Sequence, residues 1–189
     1  MKKIRILPAL FLTLFITTAH AQNEAEMKVW KNYMTPGEVH KMMASGDGEW
    51  NEEITMWMDP AAPPTKTMAT AKTEMIMGGR YQVSKVTGNM TGMPFEGMSL
   101  MGYDNAKKIF TNTWVDNFGT GTITMEGTWD DKTKSITFKG KGIDPMSGKE
   151  LMMKQVVKYI DNDTQSMEMF DNKTGKDLKT MEIKMTRKK

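Results

Sequence analysis

GGRYQVSKVTGNMTGMPFEGMSLMGYDNAKKIFTNTWVD, residues 78–116, decides the fold. It reads as three successive strands, 80–87, 94–103 and 107–116, separated by turns rich in Gly, Asn and Asp. In the second strand Phe95, Gly97, Ser99, Met101 and Tyr103 share one face, and in the third Phe110, Asn112, Trp114 and Asp116 do. A period of two with one apolar face is the mark of antiparallel sheet, one side packed and the other wet.

The same period runs outward to the C-terminus. Ile123, Met125 and Trp129 alternate with Thr124, Glu126 and Thr128, and Met181, Ile183 and Met185 alternate with Glu182 and Lys184. Turn signals punctuate the chain at 59–64, 78–79, 88–92, 104–105, 117–121, 130–133, 144–148, 161–163 and 171–175. They define ten strands, near 49–58, 66–77, 80–87, 94–103, 107–116, 122–129, 134–142, 150–160, 164–170 and 178–187. Short connections make sequence neighbours into sheet neighbours, and a meander of this length curls and closes, which removes its edges. The expected fold is therefore mainly β, an antiparallel up-and-down barrel, with a sandwich or an open curved sheet as the alternative.

Upstream the period is helical. Met27, Trp30 and Met34 stand at i, i+3 and i+7, and Thr35-Pro36-Gly37-Glu38 reads as a second helix start. In that reading Thr35 is the N-cap, Pro36 is at N1 and Glu38 at N3 closes a capping box. Val39, Met42 and Met43 form its apolar side, and 45–48 ends it.

The first 21 residues read as a cleavable leader. Lys2, Lys3 and Arg5 precede an apolar run from Ile6 to Thr17, and Ala19-His20-Ala21 provides small residues for cleavage near Ala21. The run is too short for a membrane anchor, so no integral membrane segment is expected in the mature chain. With no Cys to acylate, the expectation is a periplasmic or secreted protein. The organisation expected is leader 1–21, helical segment 22–48 and barrel 49–189.

Export changes the charge argument. The chain has 26 Lys and Arg against 23 Asp and Glu, but three of the basic residues lie in the leader, so the mature chain is balanced. Nucleic acid is thereby an unpromising partner. The basic end, Arg187-Lys188-Lys189, reads as a solvated tail. Absence of Cys removes disulfides and thiol chemistry and leaves packing to hold the fold.

Several motifs, GEW (48–50), DPAAPP (59–64), GGRY (78–81), PFEGMSLMGYDN (94–105), TWVDNFGTG (113–121) and MEIKMTRK (181–188), together resemble the bacterial family of unknown function DUF1579. The resemblance runs from about Val39 to the end. It implies a lipocalin-like barrel, often exported, and carries no residue roles with it.

The residues themselves point away from an enzyme. The mature chain has one histidine, His40, and no nucleophile motif such as G-x-S-x-G. Its Gly-rich pieces do not open helices, so they are not phosphate loops. A carboxylate pair is left open, and no cofactor is called for.

Two binding chemistries remain. If the faces of the central strands point inward, Phe95, Tyr103, Asn112, Trp114 and Asp116, with Arg80 near the barrel end, would meet a small apolar or amphipathic molecule. The duller reading has Asp116 capping the next turn or pairing with Arg80. The mature chain also carries 21 methionines against three leucines. The pairs Met56/Met58, Met75/Met77 and Met167/Met169 could hold Cu(I), a soft ion that suits thioethers. Alternatively Met replaces Leu as adaptable core filler. Oligomeric state is not readable from the chain.

Overall fold

A computed structural model describes residues 23–58, 62–173 and 175–189. The predicted leader, 1–21, lies outside the described residues, as do parts of the turns at 59–64 and 171–175. The chain divides into two compact units at Thr35. In the first, residues 23–34 form helix α1, whose last turn is closed by the Thr35 hydroxyl donating to the Lys31 carbonyl.

The second unit, Pro36–Lys189, is helix α2 followed by a barrel. Helix α2 spans Glu38–Ala44, so it belongs with the barrel rather than with the segment before it. Its N-cap is Gly37, not Thr35. Thr35 is already spent on α1, and the residue at N3 is His40, whose Nδ1 accepts from the Gly37 N–H. His40 is a buried capping and packing residue, with its ring edge-on to Tyr103 at 5.9 Å.

Ten strands follow: β1 (Gly48–Met56), β2 (Thr65–Ile76), β3 (Tyr81–Met90), β4 (Met93–Asp104), β5 (Ile109–Asp116), β6 (Ile123–Asp130), β7 (Ser135–Ile143), β8 (Glu150–Tyr159), β9 (Thr164–Asp171) and β10 (Leu178–Arg187). Every neighbour pairs antiparallel, and β1 pairs with β10 from Trp50↔Arg187 to Met56↔Met181, closing the barrel. The turns work as the composition predicts. Asp104, Asp116, Asp130, Asp144, Asp161 and Asp171 each accept from a backbone N–H two residues on. Thr91 and Gly92, both at positive φ, make the two-residue β3–β4 hairpin.

Inside and outside alternate strictly in β1, where Trp50, Glu52, Ile54 and Met56 are buried and Asn51 and Glu53 are exposed. The outer face carries Lys66, Lys72, Lys85, Glu96, Glu126 and Lys139. That is the reverse of the apolar-out pattern of a lipid-facing barrel. Among the described residues no helix is long and apolar enough to cross a membrane.

One end of the barrel is closed. Met43 of α2 is fully buried in a cluster with Phe110, Met125, Ile136 and Phe138. Arg187 pins the loop after α2, donating to the carbonyls of Ser45 and Asp47, and lies 4.3 Å over the Trp50 ring. The expected solvated tail is thus wrong for Arg187, because its guanidinium joins the last strand to the first across the closure.

Candidate functional site

The inward-facing side chains do not fill the barrel. They leave a cavity of about 580 Å³. Side chains of this length from ten strands reach the axis only where both walls carry bulk, so a barrel of this size can hold one small ligand. On one side the cavity is bounded by Met125 and Phe138 of the packed cluster. On the other it is bounded by a second cluster, with Trp50, Ile54, Ala71, Val86 and Phe95. Methionines of β9 and β10, Met167, Met169, Met181 and Met185, complete the wall.

The cavity has two distinct ends. Gly46 and Gln82 line it beside α2, where Gln82 Nε2 donates to the Met43 carbonyl and to Asp47 Oδ1, and Trp50 Nε1 donates to the Gly46 carbonyl at 2.9 Å. At the opposite end its lining includes Met58, Thr91, Met93 and Phe118, all in or beside loops. Met58 is 84 % exposed, Met93 53 % and Phe118 49 %, so the rim of this end is apolar and open to solvent.

The polar lining is sparse and specific. Glu52 is 5 % exposed, on the inner face of β1 between Trp50 and Ile54. Burial alone pushes its carboxyl up to about 7, since desolvation penalises the charged form and no cation offsets it. Asn112 donates through Nδ2 to Gln155 Oε1 at 3.5 Å, a weak bond, and its own Oδ1 is buried without a partner. An orphaned buried acceptor of this kind asks for an explanation, and a bound donor is one. Tyr159 also lines the cavity, with its hydroxyl pushed up to about 12 by burial and so held protonated.

The sequence-predicted residues divide in two. Phe95, Asn112, Trp114 and Asp116 line the cavity together. Phe95 and Trp114 stack at 6.3 Å, while Trp114 Nε1 donates to Asp116 Oδ2 and the Phe118 N–H to Asp116 Oδ1. Asp116 therefore caps the next turn. It does not pair with Arg80, because Asp116 stands opposite Gly97 whereas Arg80 precedes Tyr81, which stands opposite Gly102 near the other end of β4. Arg80 instead donates to the Met77 carbonyl within its turn. Tyr103 packs on Phe110 at 4.9 Å in the cluster under α2 and is not part of the lining.

The methionine pairs divide as well. Met56, Met58, Met167 and Met169 line the cavity. Met75 packs against the cluster under α2, and Met77 sits at positive φ in the β2–β3 turn, 69 % exposed. Among the described residues no group of His, Asp and Glu is placed to hold a metal.

Sequence reasoning missed Glu52, Gln82, Gln155 and Tyr159. For Glu52 the signal was present, since it falls in phase with Trp50, Ile54 and Met56 on the apolar face. Gln82 and Gln155 have no such local signal; their partners come from distant strands and from α2.

A closed antiparallel barrel with a one-ended internal cavity is the class these features define. By sequence the chain belongs to DUF1579, a family described as protein of unknown function, whose profile matches residues 35–187. No curated protein matches it. Among solved structures it is similar to "Crystal Structure of Rv2717c from M. tuberculosis", with a TM-score of 0.61 and 13 % identity over 82 % of this chain and 100 % of that one. At that identity the likeness is one of fold.

Proposed function

We propose that the protein is a lipocalin-like binding protein that carries a small apolar or amphipathic molecule in its barrel, acting in the periplasm or outside the cell after removal of residues 1–21. The observation that carries this reading is the cavity of about 580 Å³, apolar at an open rim and holding an unpartnered buried Asn112 oxygen within. A cavity of that volume fits a drug-sized or single-chain ligand, and methionine walls adapt to its shape at little cost. Export rests on the leader-like character of the first residues alone.

Titration with Nile red, a neutral apolar dye, tests the reading. One saturable site with a blue-shifted emission is expected, abolished by Ser99→Phe, which fills the cavity from β4. Binding at several weak sites, or undiminished by Ser99→Phe in a folded variant, would put the dye on the surface and remove the support. Copper(I) is the second reading, favoured by the four pair methionines that share the cavity. It requires thioethers that converge on one point.

A further inference from the structure

The cavity's charge pattern narrows the ligand class beyond a generic amphiphile, and this step rests on the binding reading above. Among the described residues that line the cavity there is no Lys, Arg or His, and the charged groups are two carboxylates, Glu52 and Asp116. Asp116 is already occupied by the Trp114 indole and the Phe118 N–H. Glu52 is not, for burial is the only cause acting on its carboxyl.

The hydrogen-bonding inventory leans the same way. Three inward-facing donors are spent on the protein, Trp50 on Gly46, Trp114 on Asp116, and the Gln82 amide on Met43 and Asp47, while the Tyr159 hydroxyl is a further, neutral donor in the lining. An acceptor, Asn112 Oδ1, is left over. A ligand carboxylate in this space would meet no counter-charge and would stand near a second negative group, which is a costly burial. A ligand ammonium would find one buried carboxylate, that of Glu52, and charge-assisted bonds are the strong ones.

We propose that the barrel selects its ligand by charge, taking an apolar chain or ring system that ends in an amine or other cationic N–H donor, with that end buried at Glu52, and excluding the matching carboxylate. The ligand enters tail-out, its apolar part lying along the methionines toward the rim at Met58 and Phe118.

Calorimetric titration of the folded protein, shown by native mass spectrometry to carry no retained molecule, with decylamine, decanol and decanoate, at mildly alkaline pH and below their aggregation concentrations, tests this. The amine is expected to bind roughly tenfold more tightly than the alcohol, the scale of one charge-assisted bond, and decanoate more weakly than either. In Glu52→Gln the tenfold gap between amine and alcohol is expected to close. Decanoate binding as tightly as decylamine, or an amine preference that survives Glu52→Gln, would overturn the charge assignment while leaving a binding protein. Failure of all three to bind would overturn the binding reading and this inference with it.

Discussion

The two walls of the cavity are built differently. Under α2, Phe110, Ile136, Phe138 and Met43 are at most 1 % exposed and interlock as aromatic against aliphatic, with Phe110 and Phe138 edge to face at 6.5 Å. Across the barrel the inner face of β2 offers Ala69 and Ala71, and the β9–β10 side offers methionines. The same alternation thus fills one side and leaves the other hollow, and the difference is side-chain volume rather than pattern. A packed wall supplies stability, which frees the opposite wall to be adaptable.

The largest test of that contrast is Phe110→Ala, in the packed cluster and away from the cavity lining, against Met167→Ala. Removing a fully enclosed ring costs about 3–5 kcal/mol, a cavity term included. Met167 borders space that is already empty, so its truncation should cost well under half as much. Denaturant midpoints compare the two, and equal losses would mean that the cavity wall is as tightly packed as the floor.

Next in size is the pH effect of Glu52. Its folded value, about 7, lies above its ordinary 4.5, so the native state holds the proton that the unfolded chain releases. Its contribution is therefore complete below the ordinary value and is lost as pH rises through about 7, a decline of about 3 kcal/mol. Glu52→Gln should abolish that decline and leave the variant more stable than the parent in alkaline buffer. His40 acts in the opposite sense: burial and the Arg80 charge lower it, so its share is lost on acidification below its ordinary 6.5. Comparing the parent with Glu52→Gln isolates the carboxyl from this second titration.

Smallest is Gly97→Ala. A Cβ there would stand 2.4 Å from the Trp114 ring, so the indole must move and its bond to Asp116 must stretch. Overpacking of this kind costs about 1–3 kcal/mol. The expected signature is a red shift of tryptophan emission with an otherwise intact fold, seen by matching far-ultraviolet spectra.

These contrasts mark how far the chain could be read. The ten strands and their turns were legible because each is a local pattern, an alternation of two closed by Asp, Asn or Gly. The inward faces of β4 and β5 followed from the same alternation, which is why Phe95, Asn112, Trp114 and Asp116 do meet. Arg80 and Tyr103 were misplaced for a different reason. Sharing a face says nothing about height along the barrel axis, and these two sit at the α2 end. Met58 and Met77 show the same limit, since each lies just past the end of its strand. The cap at Gly37 was hidden because Thr35 carries the better capping side chain in sequence, yet its hydroxyl bonds back to the Lys31 carbonyl of α1.

Native mass spectrometry of the protein, taken from its own host without refolding, tests the central claim most directly. The account predicts one retained organic molecule per chain, lost under denaturing spray, and basic or neutral in its fragments. A bare protein mass from gentle preparations would contradict it, and a retained fatty acid would contradict its charge assignment while leaving a binding protein.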